Sequence, residues 1–188
     1  MHDFADNTRL NFGFVNGGQM SAYSSRIAFL TALLCIALLA TAYYMEFVTG
    51  LVPCALCLAQ RAMFAVIGIS CLLYLAPFYA SRLLFACLAF LSSGLGIWLA
   101  ARQLWLQSLP EDQVPACGPD IYFMIERFPL ADSLQTMLMG SGSCAEVQWT
   151  FLTLSIPGWT LLFYVLTALV SVWLMLFRGP RPFRLFKR

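Results

Sequence analysis

The chain has 188 residues, 61% of them hydrophobic and 11% charged, with a formal net charge of +2. Soluble globular domains have roughly a quarter of their residues charged, and this chain has too few charges to cover the surface of one. The composition therefore excludes a soluble domain, and the mean hydropathy of +0.78 indicates an integral membrane protein.

Four long apolar segments indicate four membrane-spanning helices. At about 1.5 Å per residue, an uncharged run of about twenty residues spans a hydrocarbon core of about 30 Å. Three such runs are Ile27–Met45, Leu83–Ala101 and Trp159–Phe177. A fourth segment has one charge near its start. We predict an all-α integral membrane protein, a four-transmembrane-helix bundle with helices at 27–47, 58–78, 83–101 and 159–177.

The N-terminal segment, residues 1–26, is polar, and Met20 offers an alternative start just before the first helix. Ala40-Thr41-Ala42 behind an apolar run also matches the cleavage site of a secretory signal peptide. The apolar run continues past this motif to Met45, which is long enough for a full span. We therefore expect it to be retained as the first helix.

Residues 48–57 carry the pair Cys54 and Cys57, between the first two predicted helices. A disulfide between cysteines three residues apart closes almost no loop, so it stabilises little as a crosslink and suits an exchangeable redox pair. Pro53 suits the first turn of the second helix, where a missing N–H costs nothing. Both cysteines then lie where the positive end of the helix dipole favours a thiolate.

Arg61 follows Cys57 by four residues and lies on the same helix face. An arginine near a helix end commonly extends to the lipid headgroups, which is one interpretation. In the other, Arg61 faces the bundle interior, favours the thiolate of Cys57 and holds an electron-rich partner beside it. Gln60 and Gln103 are nearby candidate polar helpers, and a simple interfacial position is the alternative for each.

The predicted loop at 102–158 carries two further cysteines, Cys117 and Cys144. A zinc site is disfavoured, because four-thiolate sites usually have two short-spaced pairs and only the CxxC pair is short-spaced. Two structural disulfides are an alternative, and sequence alone leaves three connectivities open. Three more cysteines lie within predicted spans and are assigned to packing, namely Cys35, Cys71 and Cys87.

The distribution of charge predicts the orientation. The C-terminal tail, residues 178–188, has five basic residues and no acid, whereas residues 103–148 have six acids and one basic residue. By the positive-inside rule both termini are cytoplasmic, which leaves the CxxC loop and the 102–158 loop as the two extracytoplasmic loops. Disulfides persist on the outer side of a bacterial inner membrane. We predict a multi-pass inner-membrane protein with these cysteines on the periplasmic side.

Electrons that arrive at the CxxC pair need an acceptor. The only histidine is His2, in the polar leader, so no set of haem ligands is evident, and the sequence has no G-x-G-x-x-G fingerprint of a dinucleotide site. Quinone is the acceptor that the bilayer itself supplies. A thiolate at the membrane boundary, beside an arginine able to polarise a quinone carbonyl, predicts a two-electron site.

Several motifs resemble the DsbB family of disulfide-generating membrane proteins. They are CALC followed at four residues by Arg61, the run RFP at Arg127–Pro129, and SGSCAEVQW at Ser141–Trp149. The similarity spans roughly Ser24 to Phe177 in order and spacing. It implies a disulfide oxidoreductase that reoxidises DsbA, a soluble thioredoxin-like protein, and passes two electrons to ubiquinone or menaquinone. We also expect a monomer that binds no nucleic acid and no metal.

The same resemblance assigns a role to each of the four outer cysteines. Cys117 and Cys144 would form the shuttle disulfide, with Cys117 attacked by reduced DsbA and Cys144 able to link with Cys54. Cys57 would face the quinone, and Arg61 would stabilise the thiolate–quinone adduct or charge-transfer state.

Two departures from the family pattern concern the quinone side. Members often have a histidine near the outer end of the third helix, which this sequence lacks, and an acid where this sequence has Gln60. A vitamin-K-epoxide-reductase-like protein is the alternative enzyme, although its CxxC usually follows its loop cysteines, the reverse of the order here. Outside the enzymes, the alternative is a structural four-span protein whose loops are clamped by disulfides.

Overall fold

The computed structural model describes residues 3–75, 79–110, 113–114 and 142–177, with side chains from residue 22 in the first range and from residue 82 in the second. Cys117, the segment Arg127–Pro129 and the basic tail lie outside these residues, so their predicted roles stay predictions.

Four helices form the described part of the chain: α1 at Asp3–Thr49, α2 at Ala55–Tyr74, α3 at Tyr79–Gln107 and α4 at Ile156–Leu176. Each contains a segment long and apolar enough to cross a membrane, which confirms the predicted four-helix membrane protein. α1 starts far before residue 27, α2 starts before residue 58, and α3 continues beyond residue 101. These helices are longer than predicted because a run of uncharged residues marks only the part within the hydrocarbon core. The helical hydrogen bonding continues into the polar layers on either side.

Consecutive helices pack side by side, α1 on α2, α2 on α3 and α3 on α4, while α1 and α4 touch only slightly. At one end of the bundle the Ser24 hydroxyl donates to the Phe177 carbonyl at 2.9 Å. At the other end the Ser155 hydroxyl donates to Gln107 Oε1 at 2.9 Å. Because α1 and α4 hardly meet, a crevice between them reaches α2.

Two short elements precede α4 in the chain. A 3₁₀ turn at Gly142–Cys144 is followed by a two-stranded antiparallel hairpin, β1 at Thr150–Phe151 and β2 at Leu154–Ser155. The two residues at its tip, Leu152 and Thr153, have φ values of 50° and 68°. These elements place Cys144 and a group of aromatic side chains at the end of the bundle where α2 begins.

The centre of the bundle is packed around Tyr164 of α4, which is fully buried. Its ring stacks on Phe64 of α2 with centroids 4.1 Å apart, and its hydroxyl donates to the carbonyl of Gln60 at 2.6 Å. On the α3 side the ring lies against Gly96, where an added Cβ atom would clash with it. The tyrosine is therefore fixed on three sides, and α3 approaches it closely because residue 96 has no side chain.

Replacing Gly96 with alanine should destabilise the bundle by about 1–3 kcal/mol, because the clamped Tyr164 ring cannot yield to the added methyl group. Gly94→Ala is the matched control on the same helix, since nothing lies within 4 Å of its added Cβ. Thermal unfolding in detergent micelles should show a lower Tm for Gly96→Ala and an unchanged or slightly higher Tm for Gly94→Ala. Equal Tm values for the two variants would contradict this packing.

Candidate functional site

The CxxC pair begins α2. Cys54 is the N-cap, with extended backbone angles (φ −79°, ψ 169°), and its sulfur accepts a hydrogen bond from the Cys57 backbone N–H at 3.4 Å. A thiol thus takes the capping position more often filled by a serine or aspartate oxygen. Pro53, predicted in the first helical turn, instead precedes the cap, because the sulfur of Cys54 and not the proline ring starts the helix. Cys57 lies in the first turn, among the backbone N–H groups that favour negative charge.

The sulfur atoms of Cys54, Cys57 and Cys144 meet at this helix end and form a sulfur cluster. The Cys54 thiol donates to Cys57 Sγ at 3.1 Å, and Cys144 Sγ also lies within hydrogen-bonding reach of Cys54. No disulfide links these three cysteines here, and each is in the thiol form. A disulfide needs an S–S distance of about 2.05 Å, so small side-chain movements suffice to exchange a bond among them.

The environments of the three sulfurs differ. Hydrogen bonding to Cys144 and then to Cys57, together with burial, raises the pKa of the Cys54 thiol. Cys144 is fully buried, in contact with a cluster that includes Leu56 and Leu106. Cys57 is partly exposed and faces a cavity. Cys54 therefore keeps its proton, and Cys57 is the sulfur that can present negative charge to a bound molecule.

A chain of hydrogen bonds across three helices points its donors at these sulfurs. The Thr160 hydroxyl donates to Gln60 Oε1 at 2.7 Å, and Gln60 Nε2 donates to Gln103 Oε1 at 2.8 Å. Gln103 Nε2 then lies 3.3 Å from Cys57 Sγ and 3.5 Å from Cys54 Sγ. Each amide orientation is set by the previous donor, so the chain ends in N–H groups that stabilise charge on sulfur.

Both glutamines are 4% exposed, so Gln60 and Gln103 face the interior of the bundle. They are the polar interior of the site, linked from α2 to α3. Sequence reasoning missed Thr160 and Tyr164, which hold Gln60 from α4. A threonine and a tyrosine one turn apart, near the start of an uncharged span, were the available signal.

Arg61 makes its contacts with α1. Its guanidinium is ion-paired with Glu46, donates to the Ala42 carbonyl at 3.2 Å and lies 5.1 Å from the ring centroid of Tyr43. The side chains of Arg61 and Glu46 are 15% and 14% exposed, so this is a largely buried pair. Glu46 is a partner that the spacing of Arg61 and Cys57 within α2 does not predict. One acid and one base in two neighbouring apolar segments were the signal that pointed to it.

A cavity of about 310 Å³ lies in the crevice between α1 and α4, with α2 behind it. Its walls are mainly aliphatic and aromatic, including Phe64 and Trp159, and its polar side chains on α2 are Gln60, Arg61 and the thiol of Cys57. The volume is at the lower end of ordinary ligand sites. The chemistry of the walls suits a flat, lipid-soluble molecule with an oxygen that can accept a hydrogen bond from Arg61.

Comparison with known proteins identifies similar chains. The family model for "Disulfide bond formation protein DsbB" matches residues 24–174. A "Disulfide bond formation protein B" from Marinobacter nauticus is 49% identical over 155 residues, which cover 81% of this chain and 92% of the relative. One from Hahella chejuensis is 47% identical over 161 residues, covering 82% and 94%. "Disulfide bond formation protein B 1" from Pseudomonas aeruginosa is 42% identical over 149 residues, covering 78% and 91%.

Proposed function

Since the chain belongs to the DsbB family of disulfide bond formation proteins, it is a multi-pass membrane disulfide oxidoreductase, and we propose that it oxidises a soluble dithiol carrier at the expense of membrane quinone. The observation that carries this proposal is the meeting of three sulfurs beside an apolar cavity, with only Cys57 lining that cavity. A crosslink that merely stabilised a loop would need neither the third sulfur nor the cavity.

The first exchange takes place in the long loop. A thiolate of the reduced carrier, a DsbA-like thioredoxin-fold protein, attacks Cys117 in the Cys117–Cys144 disulfide, which forms a mixed disulfide and releases Cys144 as a thiolate. The second carrier thiol then displaces Cys117, so the carrier leaves oxidised and both loop cysteines are reduced.

The second exchange moves the reducing equivalents to α2. Cys144 attacks Cys54 in the Cys54–Cys57 disulfide, releasing the Cys57 thiolate, and Cys117 then displaces Cys54 to restore the loop disulfide. The contact between Cys144 and Cys54 supports this order of attack, because the incoming and receiving sulfurs are already neighbours. At the end the carrier's two electrons reside on the Cys54/Cys57 pair.

The cavity residues fit a quinone head group. Ubiquinone or menaquinone bound there would accept two electrons and two protons as the Cys54–Cys57 disulfide forms again. Cys57 presents its sulfur to the cavity, Arg61 offers N–H donors from the same wall, and Gln103 holds both sulfurs from behind. The mainly apolar walls exclude water from the reacting sulfur.

We also propose that the protein lies in the bacterial inner membrane with the cysteines on the periplasmic side. The basic tail follows α4, whose C-terminal end contacts α1 at Ser24, at the opposite end of the bundle from Cys54, Cys57 and Cys144. The positive-inside rule then directs that end to the cytoplasm.

A DsbA-like carrier has a potential of about −120 mV and is itself strongly oxidising, so its reoxidation requires electrons to be drawn onward to a quinone.

The proposed function is tested by anaerobic mixing of the purified protein, a reduced thioredoxin-like dithiol carrier and ubiquinone in detergent. We expect one quinone reduced, by its ultraviolet absorbance, for each carrier oxidised, by loss of two titratable thiols. The two disulfides of the protein can together oxidise two carriers without quinone, so oxidation of more than two carriers per protein without quinone reduction would contradict the proposed acceptor. Quinone reduction by a small dithiol but not by the carrier would contradict the proposed partner.

A further inference from the structure

The hairpin at Thr150–Ser155 shows large apolar side chains to its surroundings. Leu152 at the tip is 69% exposed, and Phe151 and Leu154 on its strands are 52% and 42% exposed. The distribution of charge along the sequence predicts only that these residues belong to an extracytoplasmic loop. We propose that the hairpin lies in the interfacial layer of the lipid bilayer, with its tip against the acyl chains, and that it forms the outer rim of the cavity.

The charge pattern favours lipid over a protein as the neighbour of this hairpin. No charged residue occurs from Val147 to Phe177, so the hairpin is as uncharged as the membrane helix that follows it. Surfaces that bind soluble proteins reversibly have a polar, solvated rim around their apolar centre. This hairpin has no charged residues to form such a rim. Apolar and aromatic residues like those of the hairpin are common at membrane–water interfaces.

The attachment of the hairpin to α4 sets its depth in the bilayer. β2 ends at Ser155 and α4 begins at Ile156, so the hairpin is attached directly to the end of a membrane span. The Trp159 indole N–H donates to the Phe151 carbonyl at 3.2 Å, which holds the hairpin down on the first turn of α4. A two-stranded hairpin has unpaired edges that cannot enter the hydrocarbon core. The headgroup layer therefore satisfies the backbone while the side chains reach the acyl boundary.

The backbone conformation at the tip also favours a lipid environment for the hairpin. Two-residue hairpin turns with positive φ at both positions usually contain asparagine and glycine. Here leucine and threonine take those positions, at φ 50° and 68°, and a β-branched residue is poorly suited to that region. This unfavourable turn keeps the Leu152 side chain outward. In water that exposure would add a second cost, whereas in lipid it is offset by burial of the side chain.

This placement connects the hairpin to the cavity. Trp149 and Phe151 line the cavity, and their rings are stacked with centroids 5.9 Å apart. Gln148 Nε2 donates to the Val52 carbonyl at 3.2 Å, which ties the start of the hairpin to the CxxC loop. The rim of the cavity is therefore a lipid-embedded aromatic wall, and the cavity opens to the bilayer and not to water. The inference concerns this chain's contact with lipid and does not depend on quinone as the ligand.

The test introduces a tryptophan at the tip, Leu152→Trp, in the full chain reconstituted into phosphatidylcholine vesicles. The added emission is the difference between the variant and the parent protein. With lipids brominated near the headgroup we expect loss of most of this added emission, and with aqueous iodide little loss. Leu169→Trp in the middle of α4, where Leu169 is 64% exposed, is the depth control and should be quenched best by lipids brominated deep in the chain.

Strong quenching by iodide and none by brominated lipid would overturn the proposal. Iodide quenching that disappears only when a reduced dithiol carrier is added would also overturn it, because the hairpin would then be a protein-docking surface. If Leu152→Trp fails to insert, Leu154→Trp on β2 gives the same reading from the neighbouring strand.

Discussion

Replacing Cys57 with serine should abolish quinone reduction while leaving the helical bundle intact. Cys57 is the one member of the sulfur cluster that lines the cavity, and an alcohol at that position can neither carry a thiolate nor close a disulfide with Cys54. We expect the rate of quinone reduction to fall by at least about a thousandfold, as for loss of a reacting group elsewhere. The measurement is the decrease in quinone absorbance under anaerobic conditions, with circular dichroism to confirm the helix content.

Cys87→Ser is the matched control, since Cys87 is a partly buried cysteine of α3 with no place in the sulfur cluster. It should retain the parent rate. If the Cys57→Ser variant still reduced quinone at a comparable rate, Cys57 would have no role in the reaction. Loss of helical structure in that variant, together with loss of activity, would instead favour a structural crosslink.

Removing the carboxylate of Glu46 should destabilise the protein by about 3 kcal/mol. Arg61 is 15% exposed and its charge is balanced by Glu46, so among the described residues Glu46→Ala leaves a largely buried cation with the Ala42 carbonyl and the Tyr43 ring as its remaining partners. The double variant Glu46→Ala/Arg61→Met removes both charges and should recover most of the stability. Thermal unfolding in detergent measures both changes.

The same pair of variants separates stability from function. The double variant should fold yet have a much weaker apparent affinity for quinone, because the N–H donors of Arg61 are gone from the cavity wall. Glu146→Ala, at an exposed position near the sulfur cluster, is the control and should change stability by less than about 0.5 kcal/mol. If the double variant kept the quinone affinity of the parent protein, Arg61 would have no role in quinone binding and would serve only to pair with Glu46 of α1.

The sequence predicted the features that depend on local pattern. Long uncharged runs identified four helices, and the spacing of Cys54 and Cys57 identified an exchangeable pair, because composition and short spacing act within one segment. The family resemblance predicted the link between Cys144 and Cys54, and the structure brings these two sulfurs together. The roles of all four outer cysteines stay predictions, with Cys117 outside the described residues.

The contacts between helices could not be predicted in the same way. Four-residue spacing placed Arg61 on the face of Cys57, but the rotation of α1 against α2 decides that its guanidinium binds Glu46. Gln60 was recognised as polar, yet its link to Thr160 joins residues a hundred positions apart. The hairpin went unnoticed because its tip is Leu152-Thr153 and lacks the asparagine or glycine that normally marks such a turn.

The crevice between α1 and α4 has a kinetic consequence. Under the proposed function, a quinone would reach Cys57 through this crevice sideways, by diffusion within the bilayer plane, and its isoprenoid tail would stay among the lipid chains. Discrimination between quinones would then rest on the shape and reduction potential of the ring, with little dependence on the number of tail units. The relevant substrate concentration would be the mole fraction of quinone in the membrane, so diluting the same quinone with extra lipid should slow turnover while the aqueous volume has no effect.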